Sequence, residues 1–304
     1  MLQGWIVIAA ALTYIGSLFA IASYGDRLAQ QRQRSASRPF IYSLSLAVYC
    51  TTWTFFGSVG LAASTGYDFL TIYIGAGLMI GAGYPLVQRI VMISKSQNIT
   101  TIADFIAARY GKSQILSALV TVIAVTGIVP YISLQLKAIS GSITTILTPA
   151  NAQISLVENG LDISPPFFDI ALLVALTLAV FAILFGTRHI DATEHQDGLV
   201  LAIATESVVK LLAFLFVGIF VTFWMFDGPM ALYEQAREKT EIASLFHGGL
   251  DTGRWLVMTF LSLVCIILLP RQFHMTVVEN NSLTDIRKAA WLFPLYLIAI
   301  NVFV

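Results

Sequence analysis

Ile41-Tyr-Ser-Leu-Ser-Leu-Ala-Val-Tyr-Cys-Thr-Thr-Trp-Thr-Phe-Phe-Gly-Ser-Val-Gly-Leu-Ala62 holds no charged residue, yet serine, threonine, tyrosine and tryptophan recur along it and Gly57 and Gly60 fall near its end. A stretch this long and apolar can cross a bilayer as a helix, which takes about 20 residues because every backbone amide in hydrocarbon must be satisfied inside its own helix. Its hydroxyls make it a poor wall against lipid alone. They suit a helix that loosens at mid-depth and turns carbonyls, hydroxyls and an indole toward a solute and a hard cation, which needs several oxygen ligands. Small-residue packing between membrane helices uses the same residue types, so that plainer reading stands beside the first.

The rest of the chain agrees about the solvent. Of its 304 residues 57% are apolar and 11% charged, against roughly 25% charged in a soluble domain. Eight stretches read as spans, near Gly4–Tyr24, Ile41–Ala62, Phe69–Met92, Ile115–Leu147, Phe168–Gly186, Gly198–Met225, Trp255–Leu269 and Trp291–Val304. The expectation is an all-α, polytopic transmembrane helical bundle. Cys50 and Cys265 lie far apart in apolar runs and carry neither a disulfide framework nor metal-ligand spacing. The net charge of zero gives no field to hold nucleic acid.

The first stretch lacks the basic start of a signal peptide, since Arg27, Arg32, Arg34 and Arg38 all follow it. A retained helix with its N-terminus outside is expected. Threading eight crossings from there places those four arginines with Arg89, Lys95, Arg109, Lys112, Arg188, Arg271, Arg287 and Lys288 on the cytoplasmic side. Only Arg237, Lys239 and Arg254 fall outside, as the positive-inside rule requires of a multi-pass protein of a cell's inner membrane. The outer loops 148–166 and 227–254 read as connectors, the second with a mixed-charge surface helix over 232–246.

Two lysines stand within the spans. Glu206 and Lys210 are four apart on the sixth stretch, roughly 12 and 18 Å along it at 1.5 Å per residue, which is midplane depth. A pair used in gating or proton coupling and a static pin between helices both fit. Lys137 sits near the outer interface, where snorkelling accounts for it. His189, His195, His247 and His274 lie in loops or at loop edges without metal-ligand spacing, and His195 beside Glu194 and Asp197 reads as a solvated loop histidine before a pH sensor. No cofactor and no metal site is expected. No nucleophile and base, and no paired carboxylates, fall at midplane to make an intramembrane enzyme.

Between the third and fourth spans, Thr101-Ile-Ala-Asp-Phe-Ile-Ala-Ala-Arg-Tyr-Gly111 reads as a short cytoplasmic helix. Thr101 is its N-cap with Asp104 three residues on, Gly111 is its stop, and Ile102, Phe105, Ile106 and Tyr110 form a face for the membrane interface. The same segment resembles a stretch that sodium:solute symporters carry after their third span. Further resemblances follow in order: Trp53-Thr-Phe-Phe-Gly-Ser-Val-Gly60 to the exit of that family's first broken core helix, Pro130-Tyr-Ile-Ser-Leu-Gln-Leu136 to its fourth span, and Leu269-Pro-Arg-Gln-Phe-His274 with Arg287-Lys-Ala-Ala-Trp291 to its cytoplasmic proline turn and the helix after it. Tyr49-Cys-Thr-Thr-Trp-Thr-Phe-Phe-Gly57 is most similar to the subgroup in which such a module precedes a sensor histidine kinase.

The resemblance implies a partial LeuT-like inverted-repeat fold. Residues 1–38 would be an extra helix and loop, 39–226 the first five-helix repeat, 227–254 an outer loop and 255–304 the start of a second repeat that the chain leaves incomplete. It implies ion-binding carbonyls at Ala47 and Cys50 and solute contacts at Tyr49, Thr51, Trp53, Thr54, Tyr131, Gln135 and Ser262. Proline-transporting relatives carry aromatic residues where this chain has Ser262 and Ile266, so a bulkier amino acid such as histidine is the better expectation. The implied function is secondary uptake or sensing of an amino acid or similar small solute, coupled to Na+ or H+. The implied partners are the solute, the lipid bilayer and, through a kinase part that these residues do not include, a response regulator. A stand-alone symporter is the alternative.

Overall fold

The computed structural model describes residues 4–31, 37–147, 172, 174–177, 179–180, 196–239, 242, 245 and 251–304, and among them it is helical throughout, without a strand. The helices are α1 (Gly4–Gln31), α2 (Pro39–Ser45), α3 (Thr52–Thr65), α4 (Leu70–Gly81), α5 (Tyr84–Ser96), α6 (Ile102–Arg109), α7 (Gln114–Leu147), α8 (Asp197–Ile219), α9 (Pro229–Glu238), α10 (Thr252–Leu268), α11 (Pro270–Phe273) and α12 (Leu283–Asn301). The chain forms two units. One takes Met1–Ser17 and Val122–Glu194, and of the described residues it contains the first half of α1 and most of α7. The other takes Leu18–Thr121 and His195–Val304.

Three helical segments, Trp5–Leu28, Gln114–Ile146 and Asp197–Met225, are long and apolar enough to cross a membrane. Two bent pairs raise the number to as many as five, Pro39–Tyr49 with Thr52–Gly81 at 56° and Thr252–Leu268 with Pro270–Val278 at 60°. The chain is a membrane protein by this measure, with three to five candidate spans among the described residues where eight were expected over the whole chain. The reasons are local. The third expected span is interrupted at Gly83, whose N–H bonds the Leu78 carbonyl five residues back while Pro85 opens a new helix. The eighth is α12, which carries Asp285, Arg287 and Lys288 in its first turns. The fifth, like the loop 148–166, His189, His195 and His247, lies outside the described residues, apart from scattered helical positions between 172 and 180.

In the larger unit α4 packs along α10 and α12, and α2 lies against α8 and α12. Apolar side chains such as Leu212, Phe216 and Val217 of α8 and Leu256, Val257 and Phe260 of α10 face outward, while Ser45, Ser58, Ser207, Gln272 and Asn280 are fully buried. That inversion of a soluble protein's pattern is what a lipid solvent favours, since helices associate there through close packing and polar contacts. Gly198 allows one such approach: a Cβ there would lie 2.2 Å from the Ala22 carbonyl of α1.

The short helix expected after Thr101 forms as α6, as its caps dictate. Thr101 Oγ1 accepts the Asp104 N–H at 3.0 Å, and Gly111 takes a left-handed φ of +67°. Its apolar face meets protein as well as the interface it was expected to enter: Ile102 is buried, and the Phe105 ring lies 5.9 Å from that of Phe273. Tyr110 stays exposed. Part of the surface helix expected over 232–246 lies in α9, which Pro229 starts.

Candidate functional site at two broken helices

The chain breaks within the stretch whose polarity suggested it. After α2 the backbone tightens into a 3-10 turn over Leu46–Tyr49. Cys50 (φ −80°, ψ 108°) and Thr51 (φ −116°, ψ −164°) then run extended, and α3 starts from Thr51, whose hydroxyl accepts the Trp53 N–H at 3.4 Å. Two residues out of helical register free carbonyls that a continuous helix would use, and buried carbonyls must find donors.

Four carbonyls at the break have one. The Ala47 carbonyl accepts the Cys50 N–H at 2.9 Å, and the Thr51 carbonyl accepts the Thr54 N–H at 2.9 Å. The Leu46 carbonyl accepts the Gln272 side-chain amide at 3.2 Å, and the Cys50 carbonyl accepts the Lys210 ammonium at 2.8 Å. Lys210 also lies 3.3 Å from Glu206, so the midplane pair expected on one helix face is formed, with its ammonium turned to the break. Ala47 and Cys50 are buried at 0% and 1% exposure.

A second break faces the first. Leu269 (φ −64°, ψ 123°) leaves the helix before Pro270, which cannot donate to the preceding turn, and the chain continues through α11 into a π-helical turn over His274–Val278. The expected cytoplasmic proline turn is thus a bend inside a continuing helical path. It docks on the first break through Gln272, fully buried, and through Tyr42, whose hydroxyl donates to the Thr276 carbonyl at 2.7 Å. The Gln272 Oε1 and Thr276 Oγ1 atoms are buried without a hydrogen-bond partner.

Around these breaks the structure gathers Ala47, Tyr49, Cys50, Thr51, Trp53, Thr54, Ser262, Glu206 and Lys210 in one unit. The Tyr49 hydroxyl donates to the Ile72 carbonyl at 3.2 Å and lies 3.4 Å from Ser262 Oγ, and Ser262 bonds that same carbonyl. Phe293 of α12 meets the Tyr49 ring edge to face at 6.5 Å. The Trp53 indole covers Gly57, where a Cβ would lie 2.4 Å from its ring nitrogen, and its centroid is 6.3 Å from that of Tyr73. Thr54 and Ser58 are buried, and the Tyr73 hydroxyl is buried without a hydrogen-bond partner. Tyr131 and Gln135 are on α7 in the other unit, each half-buried.

Gln272, Tyr73, Tyr42 and Phe293 escaped the sequence reading. Pro270 after an apolar run was the available signal for the second break, and Gln272 two residues beyond it is the polar residue such a break would aim. Chemically the assembly offers hydroxyls, an indole, an amide, one ammonium and one carboxylate, the donors and acceptors that a zwitterion needs. Among the described residues no group of His, Cys, Asp and Glu could hold a metal ion.

At one end of the same helices lies a second polar cluster. Arg38 Nη1 bonds Asp197 at 3.2 Å, Asp285 accepts the Arg38 N–H at 3.3 Å and the Ser37 hydroxyl, and Glu279 accepts the Gln196 N–H at 3.2 Å and pairs with His274 at 3.0 Å. Lys95 bonds the Asn280 side chain at 3.1 Å; burial holds its ammonium below the usual lysine range, and Asp285 opposes that shift. No family model, curated protein or solved structure matches the chain.

Proposed function

We propose that this chain is a membrane module for secondary uptake or sensing of an amino acid or similar zwitterionic solute, coupled to Na+ or H+, on a LeuT-like inverted-repeat plan. The observation that carries the proposal is the meeting of two broken helices, at Cys50–Thr51 and Leu269–Pro270, with buried polar side chains from each turned to the other. Transporters built from inverted repeats hold solute and ion where discontinuous helices cross near the bilayer midplane. The two breaks here open the first helix of each repeat that the sequence resemblance marks out. Tyr49, Thr51, Trp53, Thr54 and Ser262 are the proposed solute contacts, joined by Gln272. The proposed setting is a cell's inner membrane with the N-terminus outside.

Histidine is the probe, because Ser262 and Ile266 leave room for a bulky side chain. The full chain in proteoliposomes is expected to take up radiolabelled histidine when an inward ion gradient is imposed. Absence of both uptake and binding would remove the proposal, while binding without uptake would favour the sensing arm, in which occupancy shifts the balance of two conformations. Trp53→Ala is expected to weaken histidine binding about tenfold, or ~1.4 kcal/mol, the size of one lost aromatic contact. Unchanged affinity would remove the second span as a site wall.

A further inference from the structure

We propose that Lys210 is the resident cation of the first break: its ammonium holds the Cys50 carbonyl where a coupling sodium would bind, so this site works without sodium. The inference rests on the transport or sensing reading and decides one ion that the reading leaves open.

Three observations carry it. First, the Lys210 ammonium donates to the Cys50 carbonyl at 2.8 Å, a charge-assisted bond of the short kind, and this is one of the two carbonyls that the family resemblance assigns to sodium. The other, of Ala47, already accepts the Cys50 N–H. The neighbouring Leu46 carbonyl is taken by Gln272. A hard cation needs several oxygens at once, and here the Leu46, Ala47 and Cys50 carbonyls each already accept a bond from a protein donor.

Second, the charge sits deep along its helix. Lys210 lies about 20 Å along α8 from Asp197 at 1.5 Å per residue, so its side chain is too short to snorkel from mid-span. A lone ammonium at that depth is costly and persists where it has partners. Its partners are the Glu206 carboxylate on its own helix and the carbonyl of the break. Third, positive charge is already present at the break, where Arg271 as well as Lys210 acts on Cys50. One ammonium faces one carboxylate, and a sodium added at the Cys50 carbonyl would sit at contact distance from a like charge, repelled where the local dielectric is low.

A lysine that merely pins two helices would give the same distances. The two roles differ in what happens when the amine is removed. A pin leaves a weakened contact, whereas a resident cation leaves a vacated cation position between a carbonyl and a carboxylate.

The test follows the thermal unfolding of the purified full chain in sodium, potassium and choline chloride at equal ionic strength, with histidine affinity measured in each. The parent chain is expected to melt alike in all three and to bind histidine equally within about twofold. In Lys210→Ala, melting is expected to fall in choline and to recover by about 3 °C or more in sodium but not in potassium, as a ligand bound only to the folded state would produce. Sodium-selective stabilisation of the parent chain, or tighter histidine binding in sodium, overturns the proposal. So does a Lys210→Ala chain indifferent to sodium, which would make the lysine a pin. If Lys210→Ala cannot be purified, Lys210→Gln keeps a donor for the Cys50 carbonyl without the charge, and the parent-chain arm still decides. Melting needs no solute, so a chain that binds no histidine defeats the transport reading without touching this result.

Discussion

Gly75→Ala is expected to lower the melting temperature of the purified chain, and Gly75→Leu to lower it by roughly 5–10 °C, the equivalent of losing ~3 kcal/mol. A Cβ at Gly75 would lie 2.4 Å from the Thr259 carbonyl oxygen, 2.7 Å from the Leu263 nitrogen and 2.7 Å from the Ser262 Cβ. These atoms are backbone or fixed to it, so no side-chain rotation on α10 makes room. The helices must move apart. Separation at that point also strains the hydrogen bonds that Tyr49 and Ser262 make to the Ile72 carbonyl, three residues before Gly75. Histidine affinity is therefore expected to fall with stability. Gly77 is the control on the same helix: its added Cβ meets nothing nearer than 3.8 Å, at Leu297 and Pro294. Gly77→Ala should be neutral or gain up to about 1 kcal/mol, because alanine favours a helix over glycine. If Gly75→Leu melts with the parent chain, the tight crossing of α4 and α10 is not what holds the unit.

Much of this architecture is visible in the residue pattern, and what is hidden is hidden for physical reasons. The break at Cys50–Thr51 lies inside the stretch whose uncharged polarity foretold one, because buried hydroxyls and glycines relieve a freed backbone. The pairing of Glu206 with Lys210 follows from a four-residue spacing on a helix. The second partner of that lysine does not, since the Cys50 carbonyl is 160 residues away and only tertiary structure brings it near. Pro270 misled for a different reason. Proline ends the preceding helix whether the chain then leaves the membrane or bends and continues, and only the burial of Gln272 and Phe273 distinguishes the two. Composition hid where one helix ends and the next begins. A run such as Phe69–Met92 reads as one apolar segment, although Gly83 and Pro85 divide it between α4 and α5.

Removing the Asp285 carboxylate is expected to cost more than removing any surface charge. Asp285 is 1% exposed in the first turn of α12, where a negative charge complements the helix dipole. It accepts the backbone N–H of Arg38 and the hydroxyl of Ser37, while the Arg38 guanidinium reaches Asp197 in the first turn of α8. The two residues before α2 are thus held to the N-termini of two other helices, and α2 leads directly into the first break. Asp285→Ala strips the acceptor from two donors at once, and each lost charge-assisted bond is worth roughly 1.5–3 kcal/mol. A loss of ~3 kcal/mol is expected, read as a fall in melting temperature of roughly 5–10 °C. Amide hydrogen exchange should quicken over residues 38–45 before it does elsewhere in the unit, because those amides lose their anchor while α4 and α10 keep their packing. Asp285→Asn, which retains the shape and one acceptor oxygen, should fall between the parent and the alanine variant. The Arg254–Asp68 pair supplies the comparison: the Arg254 side chain is 56% exposed, and Arg254→Ala should cost under about 1 kcal/mol. Equal losses for Asp285→Ala and Arg254→Ala, with no local change in exchange, would mean that the segment before α2 is held by helix packing alone and that its buried carboxylate anchors nothing.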